Sequence, residues 1–191
     1  YEGYFKFDFK GELGGKSLTG GLGVRVAHLN TTSSGYVTTD GGATYSPVSI
    51  DNNYTDILPS LNMVQHLTDQ QMLRFGAGVA ISRPPLDALV TGFSISATGN
   101  PRTGGGGNPL LKPYKANQLD LSYEWYFHDE SLLAVAAYYK DLKNMIGASQ
   151  STQTINGLQA IITSENNRPG GNLSGLEFTY QTRFYFLPSA L

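Results

Sequence analysis

Leu119-Asp120-Leu121-Ser122-Tyr123-Glu124-Trp125-Tyr126-Phe127 is the stretch that decides the fold. In an extended chain successive side chains point to opposite sides. Leu119, Leu121, Tyr123, Trp125 and Phe127 therefore share one face, while Gln118, Asp120, Ser122 and Glu124 share the other, with Tyr126 out of step. The first residues repeat the design: Tyr1, Gly3, Phe5, Phe7 and Phe9 lie against Glu2, Tyr4, Lys6, Asp8 and Lys10. Such alternation marks any half-buried strand, in a soluble sandwich as well as in a membrane barrel. Composition and turn lengths separate the two.

The 191 residues include 23 glycines, 12% aromatics and only 15% charged residues, where soluble domains carry roughly 25%. Mean hydropathy is −0.23, and no run approaches the ~20 apolar residues of a spanning helix. Low charge without long apolar runs suits strands that alternate lipid-facing and water-facing residues. A formal net charge of −2 with no basic stripe excludes nucleic acid as a partner. Cysteine is absent, so disulfides and thiolate metal sites are excluded. No charged leader with an apolar core opens the chain, and it is expected to be an internal piece of a longer protein.

Seven strands are expected, over residues 1–11, 18–31, 54–65, 71–82, 118–127, 132–143 and 174–186. Tight turns at 12–17, 66–70 and 127–131 follow the first, third and fifth, and residues 187–191 look like the start of another. Long loops at 32–53, 83–113 and 144–172 follow the second, fourth and sixth. Pro84 and Pro85 stop pairing because neither can donate to a ladder. The glycine run 104–107 reads as a flexible hinge, and residues 160–164 as a short hairpin arm. Strict alternation of short turns and long loops is the signature of an outer-membrane barrel. The fold class is thus all-β, an antiparallel transmembrane β-barrel segment. Its seven strands are too few to close, because bacterial barrels start at eight. Phe5, Phe7, Leu121, Tyr123, Trp125, Phe178 and Tyr180 are expected to face lipid. The turns at Gly14, Thr68 and Asp129 are then periplasmic, and the loops around Gly41, Gly105 and Ser151 external.

Five ordered blocks carry a family resemblance. They are Leu58-Pro59-Ser60-Leu61-Asn62; Leu73-Arg74-Phe75 with Ser82-Arg83-Pro84; Asn108-Pro109-Leu110-Leu111-Lys112-Pro113-Tyr114; Leu121-Ser122-Tyr123-Glu124-Trp125-Tyr126-Phe127; and Tyr139-Lys140-Asp141-Leu142. In order and spacing they resemble the C-terminal barrel half of TonB-dependent receptors. The resemblance implies a barrel of about 22 strands closed by a plug. It also implies an outer-membrane location and capture of a scarce nutrient such as siderophore-iron, cobalamin or an oligosaccharide. The implied partners are membrane lipid and lipopolysaccharide, the plug domain of the same protein, the small-molecule nutrient, and an inner-membrane TonB complex reached through an N-terminal motif. Residues 1–191 are read as one partial barrel domain, with plug, coupling motif and closing strand outside it.

No catalytic, cofactor or metal site is expected. Gly14-Gly15-Lys16-Ser17 lacks the first glycine and the helix of a phosphate-binding loop. His28, His66 and His128 are far apart, and Asp51, Asn53 and Asp56 lack the glycine of a helical calcium loop. The sequons at Asn30, Asn53 and Asn172 have no meaning in a bacterial barrel. The alternatives are a self-contained adhesive or structural barrel, and an outer-membrane hydrolase, for which no nucleophile elbow is present. The ligand-contact candidates are loop residues: Tyr36, Asp40, Tyr45, Arg83, Arg102, Asn108 and Arg168. Tyr54, Tyr114 and Tyr139, near the outer strand ends, are expected in an aromatic girdle.

Overall fold

The computed structural model describes residues 1–184 as eleven strands in one curled sheet. Seven form a continuous antiparallel wall: β1 (Glu2–Leu13), β2 (Lys16–Thr38), β3 (Ser46–His66), β4 (Gln71–Ser82), β7 (Tyr114–His128), β8 (Ser131–Lys143) and β11 (Gly171–Gln181). These are the seven expected from alternation. The other four are β5 (Phe93–Gly99), β6 (Arg102–Gly106), β9 (Met145–Ile155) and β10 (Leu158–Arg168). They lie inside the two segments expected to be long loops, 83–113 and 144–172. The last strand, expected over 174–186, ends at Gln181 with residues 182–184 outside the ladder, and its expected end at Phe186 and the turn after it lie outside the described residues.

Tight turns fix the register of the wall. Gly14 and Gly15 carry φ of 61° and 72°, the left-handed pair that a two-residue hairpin turn needs. Register then runs across the sheet in rows. Phe7, Leu22, Leu61, Ala77, Leu119 and Tyr139 are successive cross-strand partners on one face. One step along, Asp8, Gly21, Asn62, Gly76, Asp120, Tyr138 and Gly175 are partners on the other. The period of two thus gives the wall an apolar face and a polar face. Tyr126 breaks the alternation because the β7–β8 register shifts between Trp125 and His128, and its amide bonds instead to the Gln70 carbonyl at 2.8 Å.

The long segments hold three corrections. Residues 32–53 are mostly strand: β2 and β3 stay paired from Leu18↔Gln65 out to Val37↔Ser46. Ser, Thr and Asn populate both faces of that extension, so it carries no apolar alternation to read. Residues 104–106 of the expected hinge lie in β6, which pairs antiparallel with β5 and parallel with β10. Instead of a short arm, β9 and β10 make a hairpin of two eleven-residue strands. Its turn is Asn156-Gly157, with φ of 52° and 77°.

These added strands continue the same sheet beyond the wall, in the order β2 tip, β5, β6, β10, β9, and make up its loop sheet. The packed apolar core lies here. Ile95, Ala160 and Ile162 are almost wholly buried, with Phe93 and Ile155 packed against them. The wall's large apolar side chains remain uncovered: Phe5, Leu176, Phe178 and Tyr180 are all more than half exposed.

Candidate functional site

The polar face of the wall and the loop sheet above it form the candidate site. At the loop end of the wall, Glu2 accepts from two arginines, Arg25 Nη2 at Oε2 and Arg83 Nη2 at Oε1, the latter at 3.2 Å. Arg25 pairs in register with Tyr4, and a long side chain reaches its diagonal neighbour two residues along. Below, Lys6 meets Asp8 at 2.9 Å. Near the tight turns, Arg74 Nε donates to Glu124 Oε1 at 2.8 Å, and the Tyr126 hydroxyl donates to Glu124 Oε2 at 2.8 Å. Lys140 stands over the Tyr138 ring, 5.9 Å from its centre. The small residues between these charges leave an open hollow of about 800 Å³, lined by Lys6, Asp8, Gly21, Gly23, Arg25 and Asn62 among others.

Asparagine side chains tie the loop sheet to the wall. Asn108 donates to the Glu165 carbonyl at 3.0 Å, and its own Oδ1 accepts from the Leu110 amide. Asn52 donates to the Pro109 carbonyl at 2.8 Å. Asn167 takes both backbone groups of Lys112, at 2.8 and 2.9 Å, and Asn144 donates to the Pro113 carbonyl. The Asn108–Pro113 block is therefore a strut with Pro109, Leu111 and Pro113 turned inward, Leu111 only 1% exposed, and with Leu110 and Lys112 exposed.

The loop residues expected to meet a ligand sit on separate elements. Tyr36 and Tyr45 stand exposed on the β2–β3 hairpin. Asp40 caps its own turn, accepting from Thr38 Oγ1, the Thr44 amide and Thr44 Oγ1 at 2.9, 3.0 and 2.6 Å. These bonds, the Thr44 hydroxyl first, lower its pKa from 3.8 to about 2. Arg83 belongs to the Glu2 cluster, Asn108 to the strut, and Arg102 and Arg168 mark the start of β6 and the end of β10. Phe5, Phe7, Leu121, Tyr123, Trp125, Phe178 and Tyr180 all fall on the apolar face. Tyr123, Val135 and Phe178 form one row there, and Trp125, Leu133 and Tyr180 the next.

Two girdle expectations are corrected. Tyr54 pairs with Leu29 and Tyr114 with Ser82, positions on the polar-face parity. Tyr114 donates its hydroxyl to the Ile146 carbonyl at 3.2 Å. Tyr139, opposite Leu119, is on the apolar face. Asp51 and Asn53 share one face of β3 and Asp56 the other, so these three do not converge. No group of three His, Asp or Glu residues able to hold a metal occurs among the described residues.

The Glu2 cluster and the asparagine strut escaped sequence reading. Alternation places Glu2 and Arg25 on one face. Their meeting depends on a cross-strand diagonal, and Arg83 arrives from the end of β4.

A curled antiparallel wall, apolar on one face and polar on the other, with packed loops at one end, defines a membrane barrel segment. The family model "TonB dependent receptor-like, beta-barrel" matches residues 3–190, and the chain belongs to that family of outer-membrane transporters, which are not enzymes. No curated protein matches the chain. Among solved structures it is similar to a G324V mutant of the ferric enterobactin receptor PfeA from Pseudomonas aeruginosa, with TM-score 0.56 and 19% identity over 94% of this chain and 32% of that one. The siderophore receptor PirA from Acinetobacter baumannii gives 0.55 and 16%, over 96% and 34%. The Serratia marcescens hemophore receptor HasR, solved as a double mutant with its hemophore HasA and heme, gives 0.59 and 14%, over 94% and 31%. The chain thus spans about a third of the length of these receptors.

Proposed function

We propose that this chain forms the outer wall and part of the loop roof of a receptor for energised uptake of a scarce nutrient. The nutrient is of the siderophore-iron, cobalamin or oligosaccharide class. The apolar face meets lipid, the polar face lines the lumen, and the loop sheet stands on the outer side of the cell. The observation that carries this reading is the continuous polar face running from the Arg74–Glu124 pair up to the Glu2–Arg25–Arg83 cluster and ending under a packed sheet of loops. Charged and amide side chains along that face, with loop strands at one end of it, suit capture followed by passage. Plug, coupling motif and closing strand belong to the rest of the receptor, as does contact with the inner-membrane TonB complex.

Structural likeness to receptors for ferric enterobactin and for a heme carrier gives iron chelates and heme the first place in testing. Purified full-length receptor is titrated with ferric catecholate and hydroxamate chelates, heme, cobalamin and linear oligosaccharides, and uptake of each is followed in cells with and without a proton gradient. Saturable binding of one class with gradient-dependent uptake is expected. Binding of none, or uptake independent of the gradient, would overturn the proposal.

A further inference from the structure

β9 is the last strand of the loop sheet, and its outer edge is open. The Asn156-Gly157 turn sets which groups that edge presents. In a two-residue hairpin the flanking pair, Ile155 and Leu158, is hydrogen-bonded, and bonded and non-bonded pairs then alternate down the ladder. Ile146, Ala148, Gln150, Thr152 and Thr154 therefore turn their amides and carbonyls away from β10. Tyr114 marks the first of them, its hydroxyl donating to the Ile146 carbonyl at 3.2 Å. From Ala148 to Thr154 those main-chain groups have no partner among the described residues. Gln150 to Thr154 are exposed without interruption.

Free edges are ordinarily blunted by charge, proline or a bulge, because a bare one pairs with another chain. β9 has none of the three. It contains no charged residue and no proline, and its register with β10 runs unbroken from Arg168↔Met145 to Leu158↔Ile155. We propose that an extended segment of another external loop, from the two thirds of the receptor beyond these residues, pairs with β9 and carries the loop sheet on across the barrel mouth. The sheet already grows in this way: β5 joins the tip of β2 and β6 joins β10, each pairing strands of two different loops. Position narrows the occupant. Ser33 and Asn52 hold the loops from the polar-face side of the β2–β3 ribbon, and Tyr114 meets β9 from the polar face of β7. With the polar face lining the lumen, a reading on which this inference rests, the open edge overlooks a mouth that the barrel's other loops share and a second copy cannot enter. Ser, Thr and Gln along β9 offer no charge to match, so the main chain makes the pairing.

The test is amide exchange of the ligand-free full-length receptor in nanodiscs, read residue by residue by mass spectrometry. Amides at Ala148, Gln150, Thr152 and Thr154 should exchange about a hundredfold more slowly than unbonded ones, together with an alternating set of slow amides in an external loop outside this chain. Thr152→Pro removes one outward donor and no bond to β10. It should speed exchange in that loop about tenfold while the receptor keeps the heat-modifiable migration of a folded barrel. Free exchange along β9 in the wild type, or no change outside this chain in the variant, would overturn the proposal. So would protection that appears only with an added ferric catecholate or heme, which would make the ligand the occupant, or only at concentrations that form dimers, which would make it a second copy. Equal water access of spin labels at Leu121 and Ser122 would instead overturn the lumen reading, and this inference with it.

Discussion

A β-carbon on Gly105 would stand 2.5 Å from the carbonyl oxygen of Thr163, its partner in the parallel ladder between two different loops. Gly104 is pinched equally from the other side, at 2.5 Å from the Ser94 carbonyl. The glycine run is thus the centre of a sheet, and its lack of side chains serves close approach. Gly105→Val in the full-length receptor should loosen the loop sheet by about 1–3 kcal/mol, the usual effect of overpacking. Amide exchange at Ile162 should speed up while exchange at Leu121 in the wall stays unchanged. Unaltered protection at Ile162 would show that the strands are not pressed together.

The two faces of β7 give a second prediction. Leu121→Arg should cost roughly 2–4 kcal/mol near the bilayer midplane, while Ser122→Arg, one residue along on the polar face, should cost far less. Urea unfolding of the receptor in vesicles measures both. Equal losses, or equal water access of spin labels at the two positions, would remove the distinction between lipid and lumen.

Acid should act on the tip of the β2–β3 hairpin. Asp40 has a folded pKa of about 2 against an ordinary 3.8. A carboxylate with a depressed folded pKa stabilises above the unfolded value and loses that contribution as pH falls through the folded one. Order in residues 38–44 should therefore be full above pH 3.8 and fade between there and about 2. The Thr44 amide reports it by exchange protection. Asp40→Asn should weaken protection at neutral pH and abolish the acid transition.

Orientation is checked on intact cells. Epitope tags inserted at Gly157 and Gly41 should be reached by antibody, and tags at Gly15 and Asp129 only after the outer membrane is opened. The reverse pattern would invert the assignment of the loop sheet.

The wall was legible because one face of each of its strands is apolar and the turns after β1, β3 and β7 are short. Phe5, Phe7 and Leu121 could be placed by counting in twos. The loop strands escaped because they are stabilised by one another. β6 is Arg102 and Thr103 followed by three glycines, and β9 is Ser, Thr and Gln along most of its length. Neither carries a period, although Asn156-Gly157 was a usable hairpin signal. Asp40 and Asn108 illustrate the matching difficulty for the site. A polar residue in a loop reads as a ligand contact, yet their side chains are taken up by the turn and the strut. Glu2 and Arg83 are 81 residues apart in sequence, and only the assembled wall brings them together.

The asparagine strut grips main-chain atoms: carbonyls of residues 109, 112, 113 and 165 and the amide of Lys112. A framework held through the backbone is indifferent to the side chains that decorate it. Substitutions on the exposed side of β9 and at the hairpin tips should consequently leave the architecture that presents them in place.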